Sequence, residues 1–332
     1  MGPVMNMLSN ISFVIVSVFG AYFALKGYIT VGVISAFIIY SKQFSRPINE
    51  LAQLYGQIQT AIAGAERVFS ILDTETEDFE GLPLKDVHGI IEFRHVDFSY
   101  VPEKKIISDF SLRIESGKKN ALVGSTGSGK TTIINLLMRF YEIDSGEILL
   151  DGKNIREIAL SDLRDSIGIV LQDTKLFSDT IRANLTYAME DAKQEEVERA
   201  ARFAHCDKVI AKLPEQYDTM LSQTSVTLSQ GEQQLIAIGR AFLSYPRILI
   251  LDEATSSVDT RTEQNIQDAM NELMKDRTSL IIAHRLSTIQ DADQIIVMDQ
   301  GRIVESGTHE ELLRRNGKYY DLYMTQFAGQ EI

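Results

Sequence analysis

Nine consecutive residues, Gly124 to Thr132, read GSTGSGKTT and fit the spacing G-x-x-x-x-G-K-[ST] through Gly124, Gly129, Lys130 and Thr131. That spacing serves the cradling of a polyphosphate. Small residues at Ser125, Thr126, Gly127 and Ser128 let the backbone curl so that successive N–H groups point inward, and a helix beginning there adds the partial positive charge of its N-terminus. Lys130 supplies a full charge for β and γ oxygens, and the Thr131 hydroxyl a ligand for Mg²⁺. The flanks separate the stretch from an ordinary Gly/Ser turn. Ala121-Leu122-Val123 predicts a buried strand, and Thr132 to Met138 the first turns of a helix.

A second stretch, Arg247 to Glu253, is an apolar strand ending in two carboxylates. In isolation an acidic helix start gives the same string. Downstream of a phosphate loop, Asp252 reads as the carboxylate that holds Mg²⁺ through its water shell, and Glu253 as the group that orients or deprotonates an attacking water. Two more stretches are ambiguous alone. Leu228-Ser229-Gln230-Gly231-Glu232 precedes a helix running towards Pro246 and reads as a serine N-cap, while His284 is a polar residue closing the strand Ile281-Ile282-Ala283. Their order and spacing after Lys130 and Asp252 give them chemical meaning.

The elements that position these residues follow from pattern. Strands are predicted at residues 90–93, 110–114, 147–150, 167–171, 248–251, 280–283 and 295–298, with helices at Lys193–Ala204 and Thr262–Leu273 between them. Such alternation indicates an α/β domain with a largely parallel sheet. Ahead of it the texture is different. Met1 to Leu25 contains no charged residue or histidine, enough to cross a bilayer at about 20 residues per span, and it lacks the basic start of a secretory signal. After the break at Lys26–Thr30, a shorter uncharged run from Val31 to Ser41 becomes a second span if Lys42 snorkels and the helix continues. Past an interruption at Pro47, Ile48, Leu51, Leu54, Ile58, Ile62, Ala65, Val68 and Leu72 recur at helical spacing, predicting a cytosolic rod. Lys42, Arg46 and Arg67 on that side agree with the positive-inside tendency. Asp73 to Asp86 is acidic and carries Gly81 and Pro83, the composition of a linker.

Composition narrows the field further. With 332 residues the chain is long enough for about two domains. Its formal net charge of -13 argues against a nucleic-acid-binding surface. Cys206 is the only cysteine, so there is no disulfide framework and no cysteine-based metal site, and the chemistry is expected in a reducing, cytosolic compartment.

Taken together, these motifs resemble the C-terminal part of an ATP-binding cassette (ABC) exporter half-transporter of the multidrug type. The resemblance covers residues 1–72 as the last two transmembrane helices, 73–89 as an acidic linker and 90–328 as the nucleotide-binding domain. It implies a P-loop NTPase fold with an antiparallel β-subdomain and a helical signature subdomain, preceded by two transmembrane helices. It also implies ATP and Mg²⁺ as cofactors, ATP hydrolysis coupled to transport, and a multi-pass position in the plasma membrane with the ATPase domain in the cytoplasm. By match of position, Tyr100 stacks on adenine and Gln172 reaches Mg²⁺ and the water. Glu253 is the catalytic glutamate and His284 the switch histidine at the γ-phosphate. Asp259 communicates across a dimer, and Ser229 with Gly231 contacts the γ-phosphate held by an opposite subunit.

Three positions depart from the family pattern. Glu232 and Gln233 stand where a glutamine and a basic residue are usual, and Gln223 stands in place of a glutamate upstream. Glu232 brings negative charge to a site that meets triphosphate. Intact Glu253 beside an altered signature predicts a heterodimer with a second, complementary half-transporter, with a homodimer as the alternative. Only two membrane helices precede the cassette where half-transporters have six, so the sequence is expected to begin near the fifth. Membrane lipid and an exported multidrug or lipid-like substrate are the other expected partners. A soluble cassette ATPase of DNA repair or translation is the competing reading, which leaves Met1–Ser41 without a purpose. A small-molecule kinase is disfavoured by Ser229, Gly231 and His284.

Overall fold

The computed structural model describes residues 2–77, 79–171, 174–221, 228–252, 259–282 and 286–326, which fall into two units, Met1–Glu77 and Asp78–Ile332. In the first, α1 (Gly2–Leu25) and α2 (Val31–Leu72) are joined by a turn with Gly27 in the left-handed region. The pairings Ser12–Ser41 (Oγ to Oγ, 3.2 Å), Lys42 over the Phe13 ring (5.4 Å) and Gly20 against Ile34 make them an antiparallel hairpin. α2 has 42 residues, about 63 Å at 1.5 Å per residue. The interruption expected at Pro47 does not occur, because the helix passes through it. One missing N–H costs a long helix a single bond out of many.

Among the described residues no helix is long and apolar enough to cross a membrane. In α2 the reason is length: the uncharged run from Val31 ends at Lys42, short of the roughly 20 residues that a span needs. Large apolar side chains nevertheless stay exposed along both helices, among them Val14, Val18 and Phe19 on α1 and Phe37, Ile39 and Tyr40 on α2.

In the second unit, β1 (Ile91–Val101), β2 (Lys104–Ile114), β4 (Ser145–Leu150) and β5 (Lys153–Asn154) form an antiparallel sheet in the order β2-β1-β4-β5. A six-stranded sheet has the order β10-β9-β3-β8-β7-β6. Its strands are β3 (Lys119–Val123), β6 (Ile167–Val170), β7 (Ile248–Asp252), β8 (Thr278–Ile282), β9 (Gln294–Asp299) and β10 (Arg302–Gly307). All are parallel except β10, which runs antiparallel on β9.

Period-2 side-chain alternation explains why the inner strands are apolar throughout. Ala121, Val123, Leu249, Leu251, Ile281, Ile295 and Val297 point to one face. There they pack with Leu235, Ile236 and Ile238 of α8 (Gln230–Leu243), Val197 and Ala200 of α6 (Gln194–Phe203), and Ile266 and Leu273 of α9 (Thr260–Leu273). Leu122, Ile248, Ile250, Leu280, Ile282, Ile296 and Met298 point to the other. They meet Ile133, Leu136 and Leu137 of α3 (Lys130–Leu137) and the apolar face of the antiparallel sheet, where Phe93 and Phe110 pack edge-on at 5.3 Å. α3 and α8 therefore lie on opposite faces of one sheet.

The acidic linker is only partly free. Leu82 N donates to the Glu157 carbonyl (2.7 Å), Ala159 N donates back to Leu82 O (3.0 Å), and Leu84 N donates to Asp162 Oδ2 (2.8 Å). Further on, the Asp151 carboxylate accepts from the backbone N–H groups of His88, Gly89 and Ile90.

Candidate nucleotide site

The phosphate loop spans the gap between the end of β3 and the start of α3. Gly124 is required by close approach: a Cβ there would sit 2.3 Å from the Met298 carbonyl oxygen and 2.8 Å from Ser128 Oγ. Gly129 is required by conformation, with φ at 106° as the residue that caps α3, and a Cβ on it would strike Ile107 Cδ1 at 2.8 Å. The loop is braced from below. Ser128 N donates to Ser125 O (3.1 Å), Gly301 N at the β9–β10 turn donates to Ser128 O (3.0 Å), and Ser108 N on β2 donates to Gly301 O (3.1 Å). Ser125, Thr126, Gly127 and Thr131 are exposed, while Ser128, Gly129, Lys130 and Thr132 are buried. The result is a rigid base with an open crest.

Lys130 is 8 % exposed, and its Nζ donates to Gly124 O (2.7 Å) and Ser125 O (3.1 Å). Burial holds its pKa below the ordinary lysine value, and the negative charge of Asp252 pulls the other way. Asp252 owes its nearness to sheet topology. Leu122 on β3 and Asp252 on β7 both register with Ile282 on the strand between them, two strand spacings or about 10 Å apart. The carboxylate thus stands at the same sheet edge as the loop.

These residues suit a triphosphate with a divalent cation. Ser128 Oγ is buried and has no hydrogen-bond partner among the described residues, and Gly124 and Gly129 let the loop backbone pack directly against Met298 O and Ile107, leaving its crest free to face phosphate. Thr131 and Asp252 are the described residues that would supply a hydroxyl and a carboxylate to Mg²⁺, which takes one or two carboxylates and completes its shell with phosphate and water.

Tyr100 stands at the end of β1 beside α3. Its hydroxyl donates to Thr132 Oγ1 (3.4 Å) and accepts from Asn135 Nδ2 (3.2 Å). Its ring packs edge-on against Phe98 (4.8 Å) and Tyr141 (4.9 Å). Asn135 and Tyr141 were not among the residues singled out from sequence. The signal in the sequence was the adjacent aromatic pair Phe140-Tyr141 just past α3.

The signature stretch is placed elsewhere. Ser229 caps α8, on the sheet face opposite α3. Its Oγ accepts from Glu232 N (3.3 Å), while Glu232 Oε2 accepts from both Ser229 N and Ser229 Oγ (2.9 Å each). Gly231 is buried in the first turn, and Gln233 Nε2 donates to Leu228 O (2.9 Å). Asp259 caps α9, its Oδ1 accepting from Thr262 N (3.1 Å), and that bond holds its carboxyl below the ordinary value. Gln172, Gln223, Glu253 and His284 lie outside the described residues.

Comparison with known proteins gives a consistent result. The family model for the ABC transporter matches residues 107–256. A fatty acid ABC transporter ATP-binding/permease protein of Mycobacterium tuberculosis is 51% identical over 321 residues, covering 96% of this chain and 51% of that protein. An ATP-dependent lipid A-core flippase of Syntrophus aciditrophicus is 43% identical over 333 residues, covering 99% of this chain and 55% of its own length. A solved structure of a bacterial Atm1-family ABC exporter with ATP bound superposes with a TM-score of 0.73 at 38% identity, covering 97% of this chain and 57% of that one. The chain spans about half the length of the relatives it matches. These relatives are transporters, so the competing reading as a DNA-repair or translation ATPase falls away. With its phosphate loop, its Asp252 strand end and its signature helix folded together, the chain carries an ABC transporter domain and is similar to ABC exporters.

Proposed function

We propose that this chain is the ATP-binding and ATP-hydrolysing part of a membrane exporter. Residues 1–72 supply the last two helices of a multi-pass domain in the cell membrane, in contact with lipid. Residues 73–89 link them to a nucleotide-binding domain at 90–328 that faces the cytoplasm. The observation that carries the reading is Lys130, buried at the base of a glycine-built loop at the same sheet edge as Asp252.

In this reading the backbone of Gly124–Thr132 and the Lys130 ammonium bind the triphosphate, and the Tyr100 ring stacks on adenine. Thr131, Asp252 and Gln172 would hold Mg²⁺, which when bound neutralises charge on the β and γ oxygens. Glu253 accepts a proton from the attacking water, and His284 donates to the γ-phosphate. Ser229 and Gly231 serve the triphosphate of a second cassette, and Asp259 lies at that contact. The placement of α3 and α8 on opposite sheet faces supports this, because a signature helix separated by the sheet from its own loop's helix is suited to another subunit's nucleotide. ATP then joins two cassettes. Its hydrolysis leaves two mutually repelling products that loosen the joint, and α2 carries the opening to the membrane helices.

The substrate is lipid-like or multidrug-like, and the fatty-acid and lipid A-core relatives support the lipid-like class. A heterodimeric partner is favoured by the combination of Glu253 with Gln223, Glu232 and Gln233. Phosphate release by the full chain tests the core of the reading. Glu253→Gln is expected to slow it by about 100-fold or more while ATP still binds. Equal rates for wild type and variant refute the catalytic assignment, and rapid hydrolysis by the chain alone favours a homodimer over a heterodimer.

A further inference from the structure

The unusual Glu232 has a definite place in the fold. Besides the backbone N–H groups of Gln230 and Gly231, three polar groups at the start of α8 could meet an anion: Ser229 N–H, Ser229 Oγ–H and Glu232 N–H. Those three are committed within the helix itself. Glu232 Oε2 takes the first two at 2.9 Å each, and Ser229 Oγ accepts the third at 3.3 Å. A serine hydroxyl has one proton, and here it points at a carboxylate. The other departure is turned inward as well, with Gln233 Nε2 on Leu228 O. Both bonds to the Glu232 carboxylate are charge-assisted, which strengthens its hold on the two donors.

We propose that Glu232 is a positioning residue that holds Ser229 in a self-capped state and thereby weakens the engagement of a γ-phosphate presented by a second cassette. The inference rests on the two-cassette reading given above. Its physical content is a competition. The phosphate gains the Ser229 hydroxyl only if Glu232 releases it, and the freed carboxylate then stands beside an incoming group of the same sign. Ser229 is thus kept in reserve, and association of the cassettes demands more nucleotide than an uncharged residue at position 232 would require.

The test uses the full 332-residue chain and a non-hydrolysable ATP analogue with Mg²⁺. Nucleotide-driven association is followed by sedimentation, and thermal unfolding is measured in parallel. Glu232→Gln keeps a capping side chain but removes the charge, and it is expected to lower the analogue concentration for half-association by about tenfold, the difference between a charge-assisted and a neutral hydrogen bond. Glu232→Ala is expected to do the same while lowering Tm, because it also removes the cap. Adding Ser229→Ala to Glu232→Gln should erase the gain. A purely structural cap would lower Tm and leave association unchanged, and that result overturns the proposal. If Ser229→Ala weakens association but Glu232→Gln leaves it unmoved, the two-cassette reading stands and this inference falls. If the analogue binds and no variant associates, this inference falls, and the two-cassette reading stands only with a different partner chain.

Discussion

Replacing Lys130 by methionine separates two roles that one side chain holds together. In the free protein, Lys130 Nζ sits on Gly124 O at 2.7 Å and Ser125 O at 3.1 Å, in a position only 8 % exposed. Methionine deletes those two charge-assisted bonds, at a cost of about 1.5–3 kcal/mol each. It also deletes a buried ammonium whose lowered pKa records the penalty of its burial, and this works in the opposite direction. The two effects offset, so the unliganded Tm is expected to move by less than about 4 °C. With ATP the balance changes, because Lys130 then faces phosphate. Loss of two charge-assisted bonds of about 1.5–2 kcal/mol each removes about 3–4 kcal/mol, a rise in Kd of roughly 150- to 1,000-fold.

The pH dependence has a definite sign as well. The folded pKa lies below the unfolded value near 10.5, so the unfolded chain binds the proton more tightly. Wild type should therefore gain stability relative to Lys130→Met as pH rises through the folded value towards 10.5, and not on the acid side. Fluorescent-ATP titration and thermal unfolding between neutral and alkaline pH read all three quantities. A Kd within threefold of wild type, or a variant that no longer folds, would refute the reasoning.

Two further outcomes follow from other parts of the domain. Tyr100→Phe keeps the ring but loses the bonds to Thr132 and Asn135, and it should raise the Kd for ATP about twofold to fivefold. Tyr100→Ala should cost about 1–3 kcal/mol through lost stacking while leaving tripolyphosphate binding unchanged; an equal loss for both ligands would contradict the adenine role. In the antiparallel sheet, Lys105, Asp109 N–H and Ser145 hold the Asp97 carboxyl down to about 2, below its ordinary 3.8. The stability this contributes is present above 3.8 and lost as pH falls towards 2, so Asp97→Asn should flatten the acid limb of a stability-against-pH curve in that window. An unchanged limb would show that the network adds nothing to the fold.

Much of the candidate site was legible because its parts are contiguous. Gly124 to Thr132 needs only the right residues in a row, and the apolar runs at Ala121–Val123 and Ile248–Leu251 mark strands buried on both faces. Other features gave weaker signals. β10 escaped notice because its half-exposed strand, Arg302–Gly307, lacks a clean alternation. Residues 82–84 read as solvated linker, yet they pair with residues 157–162, more than 70 positions away. Pro47 signalled an interruption, but one lost bond does not end a 42-residue helix.

The role of Gly124 divides between the two levels. Its place in G-x-x-x-x-G-K-[ST] is local and was readable from the chain; the carbonyl of Met298 that forbids any larger residue comes from a neighbouring strand and was not. The sequence by itself determined the phosphate loop, the strand ending in Asp252 and the resemblance to ABC exporters, because each depends on residue type at short spacing. Only the tertiary structure decided that β8 sets Asp252 two strands from the loop, that α3 and α8 occupy opposite faces, and that Asn135 and Tyr141 support Tyr100. Most of those relations join residues far apart in the chain. Strand order and packing set them, and neither is encoded in any short window of sequence.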